Sequence, residues 1–506
     1  MVLVKMNPSC GAGTPHSNVT IAGGDNFMLW LCIHLPNLPL EVLTRGGPAN
    51  GPLAVSDGQG RNPLILACNG EAKALGVRAG MALGAALALA SALRVSQRET
   101  CAEAAALGNV AAWAGQFTPT VSLAPPKEVL LEVAGSLALF GGMDRLVKKA
   151  REGMAALGYH ATLSIAPTPL GATLLARAAC EEHIREERTL ARHLARLPLE
   201  VLGLVEAKGT TLKGMGLNCI GDLLRLPVDG LAQRFGPELP RILDQALGRA
   251  PDPRARFEAK ASFAHELALP MEVEETEPLL FAAHRLLLEL TGLLQARCAG
   301  VRTLEWRLFH RQQPATRLHL ELVAPSRDAQ HLLILTRERF ERLALAHPVI
   351  TLGLLTQAFI PLPGYNLACL PVAGGKENLD WRSLIERLRA RLGADAVRGF
   401  CLLPAHRPEA AWRFCAPGES LPVVHFGKRP LWLLAEPILL RSCGHRLYLD
   451  GVLALGPNRE RIESGWWEGK DVSRDYFIAQ NSSGARFWIF QELGCERRWF
   501  LHGLFG

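Results

Sequence analysis

The sequence has no C-x-x-C pair and no Cys/His group at zinc spacing among its 12 cysteines, which argues against a zinc finger or a dithiol redox centre. Cys32, Cys68, Cys180, Cys298 and Cys443 are scattered and read as buried thiols of a reducing compartment. Long apolar runs are missing too. The stretch Ala79 to Leu93 falls short of a bilayer span and is broken by Gly84, and the N-terminus carries no basic-then-apolar signal pattern. Both absences point to a cytoplasmic protein with no membrane partner. Nor is there a strong charge excess. The 55 Lys and Arg against 48 Asp and Glu leave +7, a mild basic balance that permits nucleic-acid binding without demanding it.

What is present is apolar material in quantity. With 49% hydrophobic residues over 506 positions, the chain can fill several cores, so an α+β multidomain protein is expected. Residues 1–26, rich in Gly, Ser, Asn and Thr without periodicity, read as a disordered extension. Residues 27–193 alternate strand and helix signals. An apolar strand spans Met28 to Pro36, a second lies at Glu128 to Val133 after the Pro125-Pro126 turn, and a third covers Ala161 to Ala166. Helices are expected over Leu38–Leu43, Ala102–Phe117, Met143–Leu157 and Pro169–Cys180, with an inserted subdomain at about 51–95.

Residues 194–252 are different: short helices punctuated by glycine. LKGMGLNCIGDLLRLP followed by LAQRFGPELPRILDQALG looks like a helix-hairpin-helix element, whose amides can hold a backbone phosphate; a compact helical linker would carry the same pattern. Residues 253–360 follow a strand, helix, strand, strand, helix, strand order from Phe257 onward, with Arg302, Arg307, Arg311 and Arg317 on the strands. Those arginines suit either a phosphate track or a solvated sheet face. Residues 361–430 combine a Pro/Gly-rich linker with a basic amphipathic helix at Trp381–Leu392, and 431–506 read as short aromatic strands. The aromatics there, Trp466, Trp467, Tyr476, Phe477, Trp488, Phe490, Trp499 and Phe500, suit a small β core or a partner-docking surface.

Three stretches carry a resemblance. ACNGEAKALGVRAGM is similar to the C-N-Y-x-A-R-x-x-G-V-x-x-G-M motif of the Y-family DNA polymerases, LSIAPTPLGATLLARAA to their G-I-A-x-N-K-x-L-A-K-x-A, and LPLEVLGL with LKGMGLNCIGDL to their thumb. The likeness runs from about Met28 to Phe359 and implies a palm with fingers, a helix-hairpin-helix thumb, an α+β little finger and a small β-rich C-terminal extension. That family's reaction needs two Mg²⁺ ions held by carboxylates. By the resemblance, the metal-ligand positions are His34, at the head of His34-Leu35-Pro36 where the family has D-x-D, and Lys127-Glu128, where it has an Asp-Glu pair. The triphosphate positions are Gly70, Lys73 and Pro169. Only Glu128 keeps the family chemistry, and an ammonium at Lys127 inverts the local charge. A salt link of Lys127 with Glu128 or Glu132 is expected as charge balance.

These losses, with RPLWLLAEP, ESGWWEG, RDYFIA and WFLHGLFG near the C-terminus, make the chain resemble the ImuB family, whose members keep the Y-family body without its acids. The resemblance implies a non-catalytic adaptor with no cofactor, joining primed or damaged DNA, the sliding clamp, ImuA and an error-prone DnaE-type polymerase in damage-induced mutagenesis. DNA-binding candidates are Gly203, Lys208, Thr210, Thr211 and Lys213 at the hairpin, and Arg302, Arg307 and Arg317 on the little finger. The clamp-binding candidate is Tyr365, Asn366, Leu367 and Leu370 in the linker. The alternative is a divergent active polymerase that combines Glu128 with Glu132 or Glu41.

Overall fold

The computed structural model describes residues 28–47, 51–58, 63–362, 375–393, 395–417, 419, 428–465, 471–494 and 497–505. The first part runs β1 (Trp30–His34), α1 (Leu38–Thr44), β2 (Leu53–Ser56), β3 (Ile65–Cys68), α2 (Gly70–Ala74), α3 (Leu83–Leu89), β4 (Arg94–Gln97), α4 (Thr100–Ala114), β5 (Val121–Ala124), β6 (Glu128–Glu132), α5 (Leu137–Phe140), α6 (Met143–Ala156), β7 (Thr162–Ala166) and α7 (Pro169–Arg177). Its antiparallel sheet is ordered β5-β6-β1-β7. β1 and β6 are apolar almost throughout because both faces are covered. Leu31, Ile33, Val129 and Leu131 enter a core with α4 and α6, while the alternate residues Trp30, Cys32 and Leu130 enter a second core with α7 and the helices that follow. The sequence reading missed β5, which pairs with β6 across the proline turn. β2, β3 and β4 form a small separate sheet with its own core around Ala54, Ile65, Val77 and Ala86.

Helices α8 (Glu187–Ala195), α9 (Glu206–Gly214), α10 (Ile220–Leu224), α11 (Val228–Phe235) and α12 (Glu238–Ala246) come next. Then β8 (Phe263–Val273), α13 (Thr276–Ala296), β9 (Ala299–Phe309), β10 (Thr316–Ser326), α14 (Ala329–Phe340) and β11 (Val349–Thr356) build the expected β-α-β-β-α-β unit, with β12 (Ile360–Pro361) pairing β9. Its sheet order, β10-β9-β11-β8, slots β11 between β8 and β9. β8 starts later than the expected Phe257, because the Phe257 amide instead donates to Val121 O (2.7 Å) on the edge strand of the first sheet. Among the described residues the helix long and apolar enough to cross a membrane is α13, not the Ala79–Leu93 run; most of it is buried, as a core helix would be.

α15 (Gly375–Leu392) lies against α14 and β10. A hairpin of β13 (Gly399–Leu402) and β14 (Trp412–Cys415) follows, then an antiparallel sheet of β15 (Trp432–Leu439), β16 (Arg441–Cys443), β17 (Arg446–Tyr448), β18 (Val452–Ser464), β19 (Val472–Gln480), β20 (Arg486–Glu492) and β21 (Trp499–Leu504). Tyr476, Trp488 and Phe490 are buried in this sheet, the Tyr476 and Trp488 rings stacked at 4.2 Å, so these aromatics form a β core. Trp466 and Trp467 lie outside the described residues. The reading of the cysteines as uniformly buried thiols is corrected. Cys298 and Cys443 are exposed, and Cys401 and Cys415 form a disulfide, because the β13–β14 hairpin sets their Cα atoms 5.9 Å apart.

Candidate functional site

Register places His34 directly opposite Glu128 on the neighbouring strands. Both belong to the alternate set that faces α7, so they sit under a helical roof rather than in an open cleft. His34 Nδ1 donates to Glu128 Oε1 (3.0 Å), the direction an ionised carboxylate requires, and Arg177 Nε donates to the same oxygen (2.8 Å). Arg177 also donates through Nη1 to Val201 O (3.2 Å), tying the sheet to the helical segment beyond. Glu128 is buried. Burial alone would raise its pKa, but the hydrogen bonds and charges of His34 and Arg177 more than offset that and hold it down at about 2. Sequence reasoning missed Arg177. The signal was available: two helical turns beyond Pro169, α7 runs back along β7 and carries Arg177 to the His34 end of the sheet.

The expected Lys127 salt link does not form. Lys127 lies in the turn just before β6 and donates to Pro36 O (2.8 Å) instead of pairing with Glu128. Burial lowers the Lys127 pKa, against the pull of Glu103, Glu128 and Glu41. Glu132 lies at the far end of β6, opposite Trp30, where Oε1 accepts from Ala134 N (3.0 Å). At roughly 3.3 Å per residue it is about 13 Å along the strand from Glu128 and cannot share an ion with it. A Mg²⁺ ion seeks octahedral oxygen ligation. Here one carboxylate has Oε1 already accepting from an imidazole and a guanidinium, and only Oε2 lacks a partner. This donor set does not fit the two-ion centre of the family.

The three triphosphate positions do not converge. Gly70 and Lys73 line a cavity of about 960 Å³ with Asn37, Glu41, Phe281 and Arg285. Pro169 opens α7 beyond the Trp30 end of β1 and lines a different cavity with Thr168, Gly248 and Asp252. Asn69 caps α2, its Oδ1 accepting from Ala72 N (2.9 Å) and Leu53 N (3.1 Å). A Cβ at Gly70, the position of the Tyr in the C-N-Y motif, would meet nothing within 4 Å, so the side chain's place is open space.

Glu41, in that cavity, has its pKa raised to about 7, because burial outweighs the His160 amide hydrogen bond and the Arg45 and Lys127 charges. The folded state therefore holds this proton more tightly than the unfolded chain. Its stability contribution is present below the ordinary carboxylate value and is lost as pH rises towards about 7. Glu41→Gln keeps the carbonyl acceptor for His160 and removes the charge. It is expected to stabilise the protein at about pH 8 by on the order of 1–3 kcal/mol and to change little at about pH 5. Chemical denaturation at the two pH values measures the difference; equal effects at both would refute it.

At the helical hairpin, Gly203 adopts a left-handed conformation (φ 63°) at the turn before α9. Thr210, Thr211 and Lys213 are exposed. Lys208 turns inward and donates to Phe235 O (2.8 Å) at the end of α11, where the helix dipole favours a cation. Lys213 pairs with Glu200 (2.5 Å), and Thr211 bonds back to Ala207 O (2.8 Å). Arg307 and Arg317 are directly opposed on β9 and β10, and Arg307 is held by Glu305 (2.6 Å). Arg302 donates to Leu322 O (3.2 Å). Tyr365, Asn366, Leu367 and Leu370 lie outside the described residues.

The impB/mucB/samB family matches residues 41–177, the stretch that contains Glu128 and Arg177. Protein ImuB of Caulobacter vibrioides is 27% identical over 465 residues, covering 85% of this chain and all of that protein. DNA polymerase IV of Shewanella denitrificans is 26% identical over 269 residues, covering 52% of this chain and 72% of that protein. Among solved structures, DinB from Sulfolobus solfataricus is 18% identical, covering 66% of this chain and 100% of that one at a TM-score of 0.37. Over most of its length the chain is thus similar to Protein ImuB, and the stretch that carries Glu128 and Arg177 matches the impB/mucB/samB family.

Proposed function

We propose that the chain is a non-catalytic adaptor of damage-induced translesion synthesis. It holds primed or damaged DNA and gathers the sliding clamp, ImuA and an error-prone DnaE-type polymerase. The observation that carries this reading is the commitment of Glu128 to His34 and Arg177. A carboxylate held in a hydrogen-bonded cluster under α7 supports the sheet and leaves no anionic cluster for metal ions. The divergent-polymerase alternative loses Glu132 by distance, and Glu41 already accepts from the His160 amide (2.9 Å). The domain limits are those of the sequence reading: palm 27–193 with fingers at about 51–95, thumb 194–252, little finger 253–360, linker 361–430 and partner-binding region 431–506. Multivalent contact raises the local concentration of the true polymerase without chemistry of its own.

Pure protein with primed template, dNTPs and Mg²⁺ or Mn²⁺ is expected to add no nucleotide; extension abolished by Glu128→Ala would sink the adaptor reading. On the DNA side, Arg307→Ala with Arg317→Ala is expected to weaken binding to primed DNA and to reduce the log Kobs versus log salt slope by about 1–2. Fluorescence anisotropy across a salt series measures both, and an unchanged slope removes this sheet face from the DNA contact.

A further inference from the structure

α15 is built inside out. An amphipathic helix on a globular surface normally turns its apolar stripe inward. Here the side facing α14 and β10 carries Glu386, which is buried; Oε1 accepts from Val323 N (2.7 Å) and Ala324 N (3.3 Å), and Oε2 meets His331 Nε2 at 2.6 Å. Those bonds satisfy backbone amides of β10 and fix the helix's rotation about its axis. Arg389 reinforces it with a pair to Glu321 (3.7 Å) and Arg387 with a pair to Glu338 (3.2 Å). With Glu386 and Ala390 turned in, the larger apolar residues of one stripe turn out. Trp381 is 61% exposed, Leu384 46%, Leu388 37% and Leu392 54%.

The spacing of this stripe is that of a seam. Trp381, Leu384 and Leu388 fall at the a, d and a positions of a heptad, and the row to Leu392 extends about 16 Å at 1.5 Å per residue. That is the length and periodicity by which one helix grips another through i, i+3, i+4 and i+7 anchors. The charges exposed beside it between 381 and 392 are all of one sign, with Arg382 and Arg391 on either side.

We propose that this face of α15 docks an acidic amphipathic α-helix of a partner protein. The apolar stripe supplies the contact area and the arginines select acidic flanking residues. A second copy of the chain is the poorer occupant, since its own arginines would meet these. The N-terminal residues 1–27 carry a single acid, Asp25, and cannot supply the complementary charge. A nucleic-acid strand would satisfy the arginines but leave Leu384 and Leu388 facing a phosphate backbone. The surface extends the adaptor reading by naming the chemistry of one partner, and its test does not pass through the DNA contacts.

The probe is a fluorescein-labelled synthetic peptide of about four helical turns, with Leu at a and d and Glu beside them, titrated with the full-length protein. Binding is expected, and Leu384→Asp with Leu388→Asp is expected to weaken it at least tenfold, about 1.4 kcal/mol or more. Because these side chains are exposed, the thermal midpoint should hold. Arg382→Glu with Arg391→Glu is expected to transfer preference to the same peptide carrying Lys for Glu. Four results overturn the proposal: no binding, equal binding of the Glu and Lys peptides, displacement of the peptide by oligo-dT, or self-association of the wild-type chain that Leu384→Asp with Leu388→Asp abolishes. Binding of the double Leu variant to primed DNA should be unchanged, so failure here is distinct from failure of the adaptor reading.

Discussion

Arg45→Met is expected to remove about 3–5 kcal/mol from the stability of the unit joining the first sheet to the β-α-β-β-α-β unit, because it strands a buried carboxylate. Arg45 follows α1 and is 5% exposed; its ion-pair partner on α13, Glu289, is 3% exposed. Arg45 Nε also donates to Leu157 O (2.9 Å) and Nη1 to the Tyr159 hydroxyl (2.6 Å), while the second Glu289 oxygen meets His265 Nδ1 at 2.8 Å. Arg285 donates to the Arg45 carbonyl. Residues from the ends of α1 and α6, from β8 and from α13 thus share one buried hydrogen-bonded cluster. Truncating one partner costs far more than the pair contributes over an apolar pair, since the survivor stays desolvated. Glu289→Met should therefore be about as damaging alone, and the double variant should lose clearly less than the sum. Urea denaturation followed by fluorescence reads all three, and strict additivity would show that the two side chains do not act as a pair.

Trp113→Ala is expected to cost a further independent 3–5 kcal/mol or so, the range for deleting a buried large aromatic. Trp113, on α4, wedges between α6 and α13. A Cβ at Gly292 would lie 2.2 Å from its Cδ1 and one at Gly153 only 2.3 Å from its Cζ2, so both glycines exist to admit the indole. Its other edge meets Phe117 at 5.3 Å in a T-shaped contact. The glycines give the converse prediction. Gly292→Ala gains about 1 kcal/mol of helix propensity, yet a contact that close forces the indole or α13 to move, at about 1–3 kcal/mol. Net destabilisation is expected, and relief of it in Trp113→Phe/Gly292→Ala would identify the indole as the obstacle. A stabilised Gly292→Ala variant would contradict the packing. The chain holds several cores, so these losses belong to the transition of this unit rather than to a single two-state unfolding.

Much of the architecture was legible because it follows local periodicity. The apolar run at β1, the alternation at β9 and β10 and the long apolar helix α13 identify themselves. β5 was missed because Val121–Ala124 is too short to announce itself beside a proline turn. The N-terminal half of β8 was misplaced because Phe257 pairs with β5, a partner remote in sequence. The expected Lys127 partner was wrong because adjacency in sequence is not adjacency in space: the turn before β6 carries its ammonium to the Pro36 carbonyl.

The sequence by itself determined that His34, Lys127 and Glu128 could not repeat an all-carboxylate site, and that a basic amphipathic helix would follow the linker. Only the tertiary structure decided where those side chains turned. Register set His34 against Glu128, the run of α7 brought Arg177 back to the same oxygen, and Glu386 pinned α15 with its apolar stripe outward. Composition and periodicity act along the chain, but a buried charge takes whichever partner the packing brings within hydrogen-bond reach, because desolvation penalises every alternative in which it has none.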